Sequence, residues 1–306
     1  MRHQPLLDGI QNLEKMQRNQ FLKMLASIPL VANGMKLKAL ESVTNGFTNS
    51  IKTPLLFIGH GHPMNALQDN NFTQSLAKLG DKLEKPNAIM LVSAHWQTKG
   101  TFVSVNSMPK AIYDFGGMDA LRQIKYEPKG HPEFARQVIK TASIYNIQED
   151  HNMGLDHGAW TILKHLFPKA DVPVFELSID STQPTTYHFQ LANALKKMRE
   201  KGVLIIGSGN IVHNLKILDW NNINAKPIDW AVEFDELVKA KLNALDFQAL
   251  VNYKQFGKIS EMAHPTNEHY LPMLYTLGLA DKNEEIKYIF EGFQYGSASM
   301  RCFQIS

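Results

Sequence analysis

The chain has 306 residues, 44% hydrophobic and 20% charged, which suits a full globular core and excludes an acidic disordered chain. The 32 lysines and arginines against 29 aspartates and glutamates leave a net charge of +3, which excludes a strongly basic nucleic-acid binder. One cysteine, Cys302, permits neither an intrachain disulfide nor a cysteine-built zinc site.

Near the N-terminus, Arg18-Asn19-Gln20-Phe21-Leu22-Lys23 precedes the apolar stretch Met24 to Ala32. This looks like a degraded twin-arginine leader, with Asn19 where the second arginine belongs. Residues 1–50 therefore read as an extension, and the cytoplasm is the expected location, with export as the alternative. No apolar run reaches the roughly 18 residues a membrane-crossing helix needs.

From Pro54 onward, strands and helices alternate. Pro54 to Gly59 reads as a buried strand, and Phe72 to Leu83 has helical spacing at Phe72, Leu76, Leu79 and Leu83. Ala88 to Ser93 is a second buried strand. Helices are expected over Phe134–Tyr145 and Gly158–Leu166, then a strand over Val172–Leu177. A helix over His188–Lys201, a strand over Val203–Ser208 and a helix over Trp230–Leu245 follow. Continuous apolar strands alternating with helices predict an α/β fold. Its central sheet is mostly parallel or mixed, with helices on both faces, in a single catalytic domain over residues 51–306.

Ligands of open α/β sheets bind beyond the carboxyl ends of strands, and three of these strands run into histidines. The first leads into Gly59-His60-Gly61-His62-Pro63-Met64, the second into Ser93-Ala94-His95-Trp96, the third into Gly207-Ser208-Gly209-Asn210-Ile211-Val212-His213-Asn214. Further clusters are Leu155-Asp156-His157-Gly158 and His264-Pro265-Thr266-Asn267-Glu268-His269. A lone histidine after a strand is more often a hydrogen-bonded loop residue than a ligand. Several at successive strand ends point instead to one shared metal ion, because neutral imidazole suits iron and zinc. His3, His131, His151, His165 and His188 lack this context and read as surface or turn residues, and His264 reads as a turn residue. Other motifs fail. Gly207-Ser208-Gly209 has Val212 where a dinucleotide fingerprint needs glycine, and Asp114-Phe115-Gly116 lacks the companions of a kinase metal site.

Six separated blocks share a pattern. They are Gly59-His60-Gly61-x-Pro63-Met64, Ser93-Ala94-His95-Trp96, Asp114-Phe115-Gly116-Gly117, Leu155-Asp156-His157-Gly158, Gly209-Asn210-x-Val212-His213-Asn214 and Pro265-Thr266-x-Glu268-His269-Tyr270-Leu271-Pro272. Together they resemble the DOPA-dioxygenase branch of the class III extradiol ring-cleavage dioxygenases, over about residues 54 to 306. The resemblance implies a non-haem iron(II) enzyme that opens a catechol with dioxygen to a muconic semialdehyde. It implies His60, His95 and His269 as metal ligands, His213 as a further ligand or the acid/base, and His157 as a catalytic residue facing substrate. Asn210 and His62 are expected to touch substrate, and His62 stands where the family usually has a small residue. Glu268 and Asp156 are expected behind the ligands, with Glu268 the carboxylate alternative to His269. An all-histidine site also accepts zinc(II). The partners expected are a small catechol and dioxygen, with neither nucleic acid nor membrane. Two other readings stay open: a zinc-dependent hydrolase on the same scaffold, and a non-catalytic interaction protein of the same fold.

Overall fold

Runs of consecutive apolar residues become strands buried on both faces, as a sheet sandwiched between helices requires. The structure, a computed structural model, describes residues 52–306. The expected extension over 1–50 and its leader-like segment lie outside the described residues. In chain order, β1 (Leu55–Gly59) is followed by α1 (Asn71–Gly80), β2 (Ala88–Ser93), β3 (Gln97–Thr98), β4 (Phe102–Ser104) and α2 (Pro132–Thr141). Next come β5 (Gln148–Asp150), α3 (His157–Leu166), β6 (Val174–Glu176), β7 (Ile179–Asp180), α4 (Thr185–Ala194), α5 (Lys197–Glu200) and β8 (Val203–Gly209). The last part holds α6 (Asp229–Asn243), α7 (Phe247–Val251), α8 (Lys258–Ala263) and α9 (Leu271–Gly278). It closes with β9 (Ile286–Phe290), β10 (Phe293–Gln294), β11 (Ala298–Ser299) and β12 (Cys302–Ile305).

The central sheet runs β6-β2-β8-β1-β12-β9. Its first four strands are parallel, and β12 and β9 extend it antiparallel. Side chains alternate between two cores. Leu55, Phe57, Met90 and Ile205 pack towards α4, α6 and α9, with Leu191, Phe234 and Leu274. Leu56, Ile58, Leu91 and Ile206 pack towards α1 and α3, with Phe72, Leu76 and Trp160. Each such side chain contributes roughly 1.5–3 kcal/mol on burial. This rigid sheet fixes where β1, β2 and β8 end, and all three end at the same edge.

Several expectations change in detail. The helix expected over His188–Lys201 is two helices, α4 beginning just after Pro184 and the short α5. Proline fits the start of a helix, where its missing N–H costs nothing. The strand expected over Val172–Leu177 shortens to Val174–Glu176, after Pro173. β9 and β12, which sequence periodicity did not single out, carry Lys287 and Gln304 between apolar residues at the antiparallel edge. Two histidines expected at the surface or in turns are buried instead. His188 is fully buried, with Nδ1 3.0 Å from the Tyr275 hydroxyl. His264 is buried, with Nε2 2.6 Å from the Ile211 carbonyl oxygen, bracing the chain on its way to His213.

Candidate active site and metal centre

His60 follows β1, His95 follows β2, and His269 precedes α9. Gly61 takes φ +62°, the left-handed turn that lets the chain leave β1 sharply after His60. At the end of β8, a Cβ on Gly209 would collide with the His269 carbonyl oxygen. Glycine there lets the His269 main chain lie against the strand, where Asn210 N–H donates to the His269 carbonyl at 2.9 Å. The ligand atoms of His60, His95 and His269 all lie within 4.8 Å of one another. His60 Nε2 and His95 Nε2 are 3.1 Å apart. Two imidazole nitrogens bound about 2.1 Å from one ion, at a right angle, would stand about 3.0 Å apart.

In His60 and His269, hydrogen bonds fix which nitrogen carries the lone pair. The Ser208 hydroxyl donates to the Gly158 carbonyl at 2.7 Å. A hydroxyl has one proton to give, so it accepts from His60 Nδ1–H at 2.9 Å and leaves Nε2 as the lone pair. His269 Nδ1 lies 3.1 Å from Glu268 Oε1, an acceptor, so its Nε2 is again free. That Nε2 is buried and has no partner among the described residues. His95 Nδ1 lies 3.6 Å from Asp114 Oδ2. Burial first, and neighbouring imidazoles second, hold the pKa of His60 and His269 well below the ordinary histidine value. The same causes lower His95, against an opposing pull from Asp114. Neutral rings are what a metal needs, and lone pairs packed this closely repel one another unless a cation sits among them. A divalent metal therefore fits these residues.

The other expected site residues surround this cluster. His157, at the start of α3, lies against His95 with ring centroids 3.7 Å apart and planes tilted by 44°. Its Nδ1 lies 2.9 Å from Asp114 Oδ1, off the line of an ideal hydrogen bond, and its backbone N–H donates to the same oxygen at 3.1 Å. Burial works to raise the Asp114 pKa, but His157 and His95 together hold it below the usual carboxylate value. Asp156 caps α3, accepting from Ala159 N–H at 3.0 Å and from the Ser93 hydroxyl at 2.7 Å. Burial pushes its pKa up to about 6. His213 adjoins His269, and with Glu268 these two histidines form a second group whose ligand atoms lie within 4.8 Å of one another. The His213 ring lies flat on His269, centroids 3.4 Å apart and planes 9° from parallel. Burial, then His157, lowers its pKa to about 4.

A cavity of about 560 Å³ opens over the cluster, lined by His60, His62, His95, His157, His213 and His269 among others. Asn210, expected to touch substrate, is not in its wall. It is fully buried, and its amide donates to the Ser299 carbonyl at 2.8 Å, tying the end of β8 to β11. Sequence reasoning missed Asp114 as the carboxylate behind His157, although its motif was visible. It also missed Leu215, Leu218, Trp220 and Tyr295, which line the cavity from loops without periodicity.

Comparison with known proteins agrees with this geometry. Residues 54–301 match the family described as the catalytic LigB subunit of aromatic ring-opening dioxygenase. A 4,5-DOPA dioxygenase extradiol of Escherichia coli is 41% identical over 262 residues, 84% of this chain and 96% of that protein. One of Beta vulgaris is 33% identical over 257 residues, 82% of this chain and 95% of that protein. A crystal structure of an uncharacterized E. coli K12 protein superposes with a TM-score of 0.73 at 39% identity, covering 83% of this chain and 100% of that one. The six sequence blocks, the histidine cluster at the sheet edge and these matches agree, and the chain belongs to the LigB family of aromatic ring-opening dioxygenases, as an oxidoreductase of the class III extradiol type.

Proposed function

We propose that this enzyme opens a DOPA-like catechol beside its diol, using dioxygen at a non-haem iron(II) held by His60, His95 and His269. The product is a muconic semialdehyde carrying both oxygen atoms. The observation that supports this most is the pair of Nε2 atoms 3.1 Å apart, with a third, partnerless Nε2 beside them at the floor of a catechol-sized cavity. When bound, iron(II) supplies a position for both diol oxygens and a path for ring electrons to dioxygen. His157 takes the second phenol proton at Nε2, since Asp114 faces its Nδ1. His157 returns that proton to the opening ring, while His213, neutral and stacked on His269, faces the same cavity and is placed to hydrogen-bond the substrate there. Phe115, also in the wall, meets His157 edge-on at 5.7 Å and limits water at that face.

The three nitrogens suit zinc(II) equally well, so zinc-filled protein is expected to be inactive in ring opening. The test is metal analysis of protein made in iron-rich medium, then an oxygen-electrode assay over a small catechol panel. Iron-loaded protein should consume one dioxygen per ring opened and form a yellow product, and His95→Ala should lose the metal. Full iron loading without oxygen uptake on any catechol refutes the reading. Turnover of an ester or amide with zinc alone would favour the hydrolase instead. No helix among the described residues is long and apolar enough to cross a membrane. As its location we propose the cytoplasm, with export through the degraded twin-arginine-like leader as the alternative.

A further inference from the structure

Proton transfer and metal binding leave one feature of the cavity unused. His62, Trp220 and Tyr295 make a closed aromatic group in its wall. Their ring centroids stand 5.8 Å (His62–Trp220), 5.7 Å (His62–Tyr295) and 5.5 Å (Trp220–Tyr295) apart. Trp220 is 50% exposed, so much of the indole is open to a ligand. The three residues come from three chain segments, and the fold locks those segments together. The buried amides of Asn65 and Gln294 exchange two hydrogen bonds of 3.0 Å, pinning the loop of His62 to β10, which precedes Tyr295. Tyr295 N–H donates to the Ile223 carbonyl, and Asp219 N–H donates to the Tyr295 carbonyl, each at 2.9 Å. Tyr295 itself has φ +53°. A non-glycine residue keeps that left-handed backbone only where its surroundings over-determine it, and such residues cluster at ligand sites. The apolar wall continues with Leu215 and Leu218.

We propose that this aromatic group is the subsite for the side chain of the catechol, and that it selects an amine-bearing, cationic side chain over an anionic one. The inference rests on the ring-opening reading above, because it takes the diol to lie at the histidine cluster. Two observations set the sign. An ammonium over an indole face is attracted by the ring quadrupole, and tryptophan is the best of the aromatic partners. The cavity wall also carries the carboxylates Asp114 and Glu268 and neither lysine nor arginine, so a side-chain carboxylate would find no counter-charge there.

Three catechols with side chains of similar size separate the cases: dopamine (cationic), 4-ethylcatechol (neutral) and dihydrocaffeate (anionic). Titration of metal-loaded protein without dioxygen reads affinity with no turnover. Dopamine should bind about ten-fold more tightly than 4-ethylcatechol, the factor one cation over an indole supplies, and dihydrocaffeate more weakly than either. Trp220→Leu should bring the dopamine to 4-ethylcatechol ratio to within about two-fold, and Trp220→Phe should keep part of it. Dopamine binding no better than 4-ethylcatechol overturns the proposal. So does tighter binding of dihydrocaffeate, which would make these rings hydrogen-bond donors to a carboxylate. Should Trp220→Leu misfold, the wild-type order alone decides. Oxygen uptake without this order sinks the subsite only, and the order without oxygen uptake sinks the ring-opening reading only.

Discussion

Ser208→Ala removes one oxygen atom and tests how the metal centre is prepared. Ser208 is fully buried at the end of β8, and its hydroxyl passes a hydrogen bond from His60 Nδ1 to the Gly158 carbonyl, at 2.9 and 2.7 Å. With alanine, no water-exposed route replaces either bond. Leaving a buried donor unpaired costs about 1–3 kcal/mol. His60 avoids that cost by moving its proton to Nε2, where it cannot ligate. Restoring the ligating tautomer then takes the same free energy out of metal binding, which is about 5- to 150-fold in affinity, in line with the 10- to 100-fold typical of lost outer contacts to ligating histidines. The assay is competition for zinc against a chelator of known affinity, with thermal denaturation of the metal-free protein alongside. Metal-free Ser208→Ala should lose about 1–2 kcal/mol of stability, since the Gly158 carbonyl also loses its donor. Wild-type metal affinity in a folded Ser208→Ala protein would refute the claim that this hydroxyl sets the tautomer.

Three further outcomes are expected. Asp114→Asn removes the negative charge facing Nδ1 of both His157 and His95; kcat should fall about 100-fold or more with metal content held equal, measured by oxygen uptake on iron-loaded protein. Gly209→Ala drives a methyl into the His269 carbonyl, and should cost about 1–3 kcal/mol in thermal denaturation together with loss of metal, because the His269 main chain must shift. The third concerns Arg199, 1% exposed, which forms a two-point pair with Glu284 at 2.5 and 2.8 Å. Burial tends to raise the Glu284 pKa, but Arg199 and Lys52 overcome it and hold the carboxyl at about 2. A depressed carboxyl stabilises the fold above its unfolded pKa of about 4.3, and that stability is lost as pH falls from there towards 2. Glu284→Gln should destabilise by about 3 kcal/mol at neutral pH, leaving Arg199 uncompensated, and should flatten the loss between pH 4 and 2 in acid titration.

The strands β1, β2 and β8 were legible because a strand buried on both faces must be apolar at every position, and nothing but histidine motifs follows them. The same signal placed His60 and His95 at one sheet edge. His269 was legible only through the family resemblance, because it arrives by a loop whose fit against Gly209 no periodicity encodes. β9 and β12 escaped notice since an antiparallel edge tolerates polar residues such as Lys287 and Gln304. His188 and Asn210 show the limit from the other side. A polar residue name suggests surface or substrate, yet burial is settled by a partner far along the chain, Tyr275 for His188 and Ser299 for Asn210. The aromatic group at the cavity wall was equally hidden, since positions 62, 220 and 295 meet only through tertiary hydrogen bonds.

Three neutral imidazoles bring no negative charge to a divalent ion, whereas most iron(II) sites of this kind include one carboxylate ligand. Here the carboxylates stand one step back. Glu268 touches His269 through Nδ1 and Asp114 faces His95 through Nδ1, so two of the three proposed ligands have a carboxylate behind them. His60 has only the neutral Ser208. A carboxylate in place of one imidazole would bring its charge to the ion directly, whereas here the charge acts through the rings. Placed behind the rings, Asp114 is also available to His157, so one acid supports a ligand and a proton-transfer group together. Asp114→Asn is therefore expected to weaken metal binding and slow proton transfer at once, whereas Glu268→Gln is expected to weaken metal binding alone.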